Sequence, residues 1–425
     1  MKNILIVSYY WPPSGGSGVQ RWLKFSKYLP KYNWRPIIFT PENPHFKVED
    51  KYLLKDVSSE IEVIKNPIWE PYSIKDIFFG NSSKSESAGV ISNKDSIKNR
   101  IFNWIRGNIF IPDPKIFWIN SSVKKISNII EEKDIRHIVT TGPPHSMHLI
   151  GLKLKKKFPE LNWIADFRDP WSELDILDNF HLSYLARRKN IRLEREVLKN
   201  ADVVLTVSES WMADLKRLGA NRVEMITNGY DIDDIKAVNN KNDKFIVGHY
   251  GLINHLRNPT QLWAELNKLC EESMDFSNKL EIHLSGNVDK EVLNDIKSNL
   301  LLRDKIKMLG YLNHNQVIQA YNNTSLLLVL LFNSTSGIGN YPAKLFECLA
   351  VNRPIFTFGP AGSDTQKLFE KYHLDHYFVY DNILNLKQVV LDIFEKKNVM
   401  KKNDITVFSR EKLTSDLADL LKSLN

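Results

Sequence analysis

The sequence predicts an α/β protein of two doubly wound, Rossmann-like domains that face each other across an interdomain cleft. Three observations predict it. Short apolar segments alternate with longer segments of helical period, the alternation runs in two series, and a polar stretch over 229–244 separates the series. Strands that alternate with helices pair in parallel, with helices on both faces of each sheet. A chain of 425 residues suits two or three domains.

In the first series the strands are expected at Ile4–Ser8, Pro36–Thr40, His137–Thr140, Trp163–Asp166 and Val203–Val207. In the second they are expected at Phe245–Tyr250, Glu281–Ser285, Lys307–Leu309, Leu326–Leu331 and Pro354–Phe358. Helices are expected between them at Val19–Leu29, Ile116–Glu132, Leu182–Leu198, Pro259–Glu271, Val288–Asn299 and Asn315–Tyr321. The expected division is an N-terminal domain over 1–235, a C-terminal domain over 236–407, and a tail helix over 408–425 that crosses back to the first domain. Residues 80–99, polar and rich in small side chains, are expected to be a mobile insertion. The segment Arg100–Phe110 is read as a helix packed on its own domain, with lipid contact as the alternative.

Composition narrows the function. Hydrophobic residues make up 43% and charged residues 25%, ordinary for a globular protein. Two cysteines, Cys270 and Cys348, lack metal-ligand spacing and suit a reducing compartment. The N-terminal apolar run is too short for a signal peptide and is broken by Pro12 and Gly15, so it reads as a buried strand. No apolar run reaches membrane-spanning length. The net charge is +8; residues 1–240 hold 36 basic and 29 acidic side chains, so +7 falls there. An anionic phospholipid surface or a phosphorylated acceptor would meet that half; a merely solvated lysine-rich surface is the alternative. Nothing resembles a nucleic-acid module.

Five stretches carry the chemistry. After the first strand, Trp11-Pro-Pro-Ser-Gly-Gly-Ser-Gly18 opens a helix, so the backbone N–H groups at Gly15, Gly16 and Gly18 can approach an anion or sugar. The spacing is not G-x-G-x-x-G, which weakens a nicotinamide reading. Next, Thr140-Thr-Gly-Pro-Pro-His-Ser-Met-His148 places His145 in a constrained loop where it could face a cleft; His148 reads as structural. In Ala165-Asp-Phe-Arg-Asp-Pro-Trp171, the residues Asp166, Arg168 and Asp169 stand at a strand end, where open sheets bind ligands. Burying them requires pairing, and an internal Asp–Arg ion pair bracing the loop is expected beside an acid facing the acceptor.

Gly248-His-Tyr-Gly-Leu-Ile-Asn-His-Leu-Arg-Asn-Pro259 then sets Arg257 near a helix start, suited to a diphosphate. The last stretch, Ser336-Gly-Ile-Gly-Asn-Tyr-Pro-Ala-Lys-Leu-Phe-Glu-Cys-Leu-Ala350, is the most specific. Gly337 and Gly339 lead into a helix at Pro342, Lys344 and the exposed N–H groups can hold a diphosphate, and Glu347 can accept from ribose hydroxyls. A Glu347–Lys344 pair on the helix surface is the bland alternative.

In order and spacing these stretches resemble the retaining glycosyltransferases of family four, of GT-B fold, and among them the subgroup that builds bacterial surface polysaccharides. Val207-Ser-Glu209, Thr227-Asn-Gly-Tyr-Asp231, Leu309-Gly-Tyr-Leu312 and Phe408-Ser-Arg-Glu-Lys412 extend the resemblance over nearly the whole chain. The resemblance implies a nucleoside-diphosphate-sugar donor and a glycan or lipid-linked acceptor. It implies that Arg257 and Lys344 hold the diphosphate and Glu347 the ribose, with the base on main chain near 310–312. Gly15, Gly16 and Gly18 would line the cleft by the phosphates. His145, Asp166, Arg168 and Asp169 would occupy the catalytic loops.

Two departures stand out. Gly339 replaces a glutamate that many relatives carry eight positions before the one matching Glu347, and Arg168 replaces a histidine. No cofactor and no metal is expected, since Asp231-Ile-Asp233 reads better as a cap than as a ligand pair. The protein is expected in the cytoplasm, with peripheral contact to the inner face of the plasma membrane as a further expectation. A nucleotide-sugar epimerase on the same fold, a non-catalytic nucleotide-sugar or glycan-binding module, and a dehydrogenase are the rivals.

Overall fold

The computed structural model describes residues 1–46, 48–70, 97–235, 243–374, 376–396 and 404–424. The chain forms two compact units, Met1–Thr227 with Arg410–Asn425, and Asn228–Ser409. The division after Thr227 falls just before the polar stretch. Most of the expected insertion at 80–99 lies outside the described residues; its last three open the helix Ile97–Asn108.

The first unit is a seven-stranded parallel sheet. Its strands are β1 Lys2–Val7, β2 Trp34–Pro41, β3 Glu62–Asn66, β4 His137–Gly142, β5 Asn162–Phe167, β6 Val203–Thr206 and β7 Val223–Met225, in the order β3-β2-β1-β4-β5-β6-β7. β1 lies between β2 and β4, with Ile4 opposite Pro36 on one side and His137 on the other. The central strands are apolar on both faces because each face is covered. Leu5, Val7 and Ile138 look into one core, and Ile4, Ile6 and Val139 into the other. The tail helix Arg410–Lys422 sets Leu413, Leu417 and Leu421 at four-residue spacing into the second of these cores, with Trp22 and Phe25 of the helix Ser17–Tyr28.

The second unit is a six-stranded parallel sheet with strands β8 Phe245–Tyr250, β9 Leu280–Ser285, β10 Ile306–Gly310, β11 Leu326–Leu330, β12 Ile355–Gly359 and β13 Tyr377–Val379. Their order is β10-β9-β8-β11-β12-β13. In each sheet the chain winds outward one way from its first strand and then restarts on the other side. The reversal lies between β1 and β4 in one unit and between β8 and β11 in the other. Loops leaving those strands diverge, and ligands bind in the crevice that results.

All ten strands expected from the sequence are present, most with ends shifted by a residue or two. Three strands escaped: β3, β7 and β13. Each lies at a sheet edge, and none carries the continuous apolar run of a strand buried on both faces. β3 is Glu-Val-Ile-Lys-Asn, half-buried for most of its length, and β7 and β13 have three residues each. The helix Ile97–Asn108 is held to its own unit at one end. A side chain at Gly107 would collide with Phe180 and Leu182, while Asn108 accepts from the Ser183 N–H at 2.7 Å.

Candidate functional site

In the second unit the site begins with loop β8. Gly251 takes φ +148°, and Gly251 N–H donates to the Ser285 carbonyl at 2.8 Å, which turns the chain away from β8. The turn ends at Arg257, whose guanidinium lies 3.6 Å from the centre of the Phe332 ring. Phe332 leaves β11, so the stack joins the two loops that flank the sheet reversal. The loop after β11 folds through Thr335–Gly337, where a Cβ on Gly337 would coincide with the Phe332 carbonyl. Gly337→Ala is therefore expected to displace the Arg257 platform and cost about 1–3 kcal/mol of stability. Thermal unfolding of the variant checks this, and an unchanged transition would refute the packing argument. Gly339 is buried. The loop is pinned where Asp364 N–H donates to the Ile338 carbonyl at 2.8 Å and the Thr365 hydroxyl to the Asn340 carbonyl at 2.8 Å.

This loop delivers the helix Ala343–Ala350, capped by Pro342 with no side-chain cap and no acid in its first turn. Its N-terminal N–H groups and the positive end of its dipole thus meet no acid of the first turn. Lys344, half-buried on that turn, approaches His249 Nε2 at 3.3 Å and has no carboxylate partner among the described residues. Burial first, then the Arg257 guanidinium, lowers the Lys344 pKa to about 7. Burial likewise lowers that of Arg257 to about 10, and its Nε is buried without a partner. Two half-buried cations, of which Arg257 depresses Lys344, with no acid partner among the described residues, form a site that an anion would complete.

His249 was passed over in the sequence, although it stands in a strand that is otherwise apolar. It is fully buried, its Nδ1 lies 3.1 Å from the Leu328 carbonyl, and its pKa is driven well down by burial and by Lys344. Its Nε2 lies 3.2 Å from the Leu252 carbonyl and 3.3 Å from Lys344 Nζ, so the ring is fixed between two backbone carbonyls beside the lysine. Glu347 does not pair with Lys344. His314 takes it instead, Nε2 to Oε1 at 3.1 Å, and this histidine too was missed. Its helix His314–Asn323 begins in a capping box of Asn313 and Gln316, which fixes the direction from which His314 reaches Glu347. Gly310 takes φ +65°, and its carbonyl accepts from Gly286 N–H and from the Ser285 hydroxyl.

In the first unit the glycine loop turns the chain from β1 into the helix Ser17–Tyr28, and the N–H of Gly15 is taken up within the chain. Gly16, at φ 88°, is the N-cap of helix Ser17–Tyr28, which has no side-chain cap. Gly15 N–H donates to the Val48 carbonyl at 2.9 Å. A Cβ on Gly18 would press on Arg168 at 3.1 Å and Tyr10 at 3.2 Å.

Asp166 and Arg168 differ from expectation. They do not pair with each other. Arg168 instead donates to three backbone carbonyls, Gly18 at 2.9 Å, Gly142 at 3.2 Å and Pro143 at 2.5 Å, tying the glycine loop to the loop after β4. Asp166 is wholly buried and its oxygens are filled: Arg21 Nη2 at 3.1 Å, Arg21 Nε at 3.2 Å, Trp22 Nε1 at 2.7 Å and the Thr141 hydroxyl at 2.8 Å. A carboxylate so engaged braces the strand ends and has no free lone pair facing solvent. Arg21, Trp22 and Thr141 were not singled out in the sequence, although a charge among the apolar neighbours Val19, Trp22, Leu23 and Phe25 signals a buried pair.

Asp169 is the acid left over. It is half-buried, no group among the described residues donates to it, and burial raises its pKa, with Arg168 opposing. His145 stacks flat on Trp171, centroids 5.0 Å apart, and neither of its nitrogens has a good hydrogen bond. Burial holds its pKa well down. His148, read as structural, is held so. The Trp163 indole N–H donates to the Thr140 hydroxyl at 2.9 Å, and that hydroxyl shares a hydrogen bond with His148 Nδ1 at 2.9 Å. A Cβ on Gly142 would stand 2.6 Å from His148 Nε2 and 3.0 Å from His145 Nδ1. Asp231, read as a cap rather than a ligand, accepts from the Asp233 N–H at 3.1 Å through Oδ1 and closes a local turn.

Comparison with known proteins adds to this geometry. Residues 90–234 match the model for Glycosyltransferase Family 4. No curated protein matches the chain by sequence. Among solved structures, sucrose-phosphate synthase from Thermosynechococcus elongatus superposes with a TM-score of 0.65 at 14% identity, over 100% of this chain and 99% of its own. TarM of S. aureus, in complex with UDP and α-GlcNAc-glycerol, superposes at 0.59 and 14%, over 100% of both chains. The lipopolysaccharide outer core galactosyltransferase WaaB superposes at 0.56 and 13%, over 100% and 99%. The resemblance read from the motifs therefore stands: residues 90–234 carry the pattern of Glycosyltransferase Family 4, and the chain as a whole has the fold of the GT-B glycosyltransferases.

Proposed function

We propose that the protein transfers a sugar from a nucleoside-diphosphate-sugar donor to a glycan or lipid-linked acceptor, with retention at the anomeric carbon, in the building of a bacterial surface polysaccharide. The observation that carries this reading is the pair Lys344 and Arg257. Both are half-buried cations with no acid partner among the described residues, at the uncapped start of helix Ala343–Ala350. That arrangement suits a diphosphate, and the charge that grows on its leaving oxygen as the anomeric C–O bond breaks. Glu347, oriented by His314, would take the ribose. With Gly339 where relatives carry an acid, the donor sugar would meet backbone N–H groups of the Gly337–Tyr341 loop.

The second half of the reaction is assigned to the first unit. Asp169, to which no group among the described residues donates, and His145, whose ring nitrogens are buried without partners, are the candidates, while Asp166 and Arg168 hold the loops that carry them. The leaving phosphate itself would accept the acceptor's proton. We assign no metal to the reaction, because lysine, arginine and helix end supply the positive potential. The TarM complex, with UDP and a glycosylated glycerol, shows these ligand classes in a protein of the same fold. The two cysteines are free, buried thiols, in keeping with a reducing cytoplasm. No helix among the described residues is long and apolar enough to cross a membrane.

The test is nucleoside diphosphate release from a panel of UDP-, GDP-, ADP- and dTDP-sugars in the presence of chelator, with and without lipid-linked acceptors. Release from one donor, abolished in Lys344→Ala, is the expected result. Turnover of the donor to its epimer without any acceptor would replace the transferase by an epimerase. Tight binding with no release under any acceptor would leave a binding module.

A further inference from the structure

We propose that the first unit carries a face that docks on an anionic phospholipid bilayer, built from the helix Ile97–Asn108, the segment running on to Phe117, Trp69, and the start of helix Tyr184–Asn200. It rests on the transferase reading only for its purpose, reaching an acceptor anchored in lipid. The distribution of tryptophan carries it. Of ten tryptophans, eight are at most 7% exposed; the other two, Trp104 at 47% and Trp69 at 53%, both lie on this face. An indole in water forgoes a large burial gain, and tryptophan collects where one side is apolar and the other wet.

The neighbours extend the same surface. Ile101, Ile109, Phe117, Tyr184 and Leu185 are exposed. Trp69 packs edge-on against Phe117 at 4.8 Å, and Phe117 against Phe110 at 5.8 Å. Asn108 links the rest, donating to the Trp104 carbonyl at 2.8 Å and accepting from the Ser183 N–H that opens the second helix. The face is thus one continuous piece of the fold.

Charge selects the occupant. Residues 97–119 hold Lys98, Arg100, Arg106 and Lys115 against one acid, Asp113. That acid is turned inward, accepting from Ser146 N–H at 2.9 Å and its hydroxyl at 2.7 Å. Lys115 is spent on buried Glu70 and Arg106 lies over Phe180, which leaves Arg100 as the outward charge among the described side chains of the helix. On Tyr184–Asn200 six basic residues face two acids; Glu194 is buried, Glu196 pairs with Arg192 and Lys156, and Asp178 before the helix pairs with Arg187. Apolar and aromatic side chains flanked by arginine, with basic side chains outnumbering acids, match a negatively charged lipid surface.

The test is co-sedimentation of the full chain with vesicles of phosphatidylcholine alone, or with about a third phosphatidylglycerol, at low and high salt. Binding to the anionic vesicles that weakens with salt is expected. It should fall roughly tenfold or more in Trp69→Ala/Trp104→Ala and roughly fivefold in Arg100→Glu. No binding of the wild type at low salt, or undiminished binding by the double variant, would overturn the proposal. So would a dimer in sedimentation velocity that the double variant abolishes, since the face would then belong to a second copy. Calorimetric titration of all variants with nucleoside diphosphates separates the two readings. Retained affinity shows that the variants are folded, while absence of affinity in the wild type would sink the transferase reading and leave the docking face standing.

Discussion

Replacing Lys344 by alanine is expected to weaken nucleoside diphosphate binding roughly 10- to 150-fold, the range for losing one charge-assisted hydrogen bond to phosphate. The lysine stands on the first turn of a helix whose end has no cap and no acid, so removing it leaves the dipole and Arg257 as the remaining positive groups. The same residue should make affinity depend on pH. In the free protein burial and the Arg257 guanidinium hold its pKa at about 7. A bound diphosphate brings opposite charge and raises it, so the complex holds more protons than the free protein. Affinity is therefore full below pH 7 and falls as pH rises above 7, by up to tenfold per unit, until the pKa of the complex is passed.

Calorimetry between about pH 6 and 9 would show this slope in the wild type and a flatter one in Lys344→Ala. An equal slope in both would remove Lys344 from the phosphate site. Stability without ligand should run the other way. Between about 7 and the ordinary lysine value of 10.5 the unfolded chain holds the extra proton, so the unliganded protein gains stability as pH rises through that window.

The fold was legible because both sheets are parallel and covered on both faces. Strands such as Leu-Leu-Leu-Val-Leu then read as unbroken apolar runs, and Phe-Ile-Val-Gly-His-Tyr as one interrupted only by His249. The same physics hid β3, β7 and β13, which sit at edges and are short or interrupted by charge. The donor side of the candidate site was legible too, because glycine turns, Pro342 and Lys344 lie within nine residues of sequence and act through local backbone. What did not show were the pairings made across the fold. His314 reaches Glu347 from 33 positions away, and Arg21 reaches Asp166 from 145. Sequence could say that Asp166, if buried, must be paired. It could not say that the partner was Arg21 rather than Arg168, because β5 ends at Phe167 and Arg168, in the loop beyond it, is held by the backbone carbonyls of Gly18, Gly142 and Pro143.

That misassignment leads to the largest stability effect in the molecule. Asp166→Leu alone is expected to destabilise by about 3–5 kcal/mol, since it strands the Arg21 guanidinium, 1% exposed, without its counter-charge. The melting transition should fall by roughly 6–20 °C. Arg21→Met alone should cost a similar amount by stranding the carboxylate. The double variant should be far less damaged than the sum, because two apolar side chains replace two charges whose desolvation was already costly. The cycle also separates bracing from chemistry. If Asp166 worked on substrate, Asp166→Asn would lose turnover while melting normally, and the double variant would be as inactive as the single. If it braces, Asp166→Asn loses activity in step with its melting temperature. The loops it supports, from Thr141 toward His145 and from Phe167 toward Asp169, lose their fixed ends together. A coupling energy near zero between Arg21 and Asp166 would contradict the bracing role and return Asp166 to the list of groups that meet the substrate.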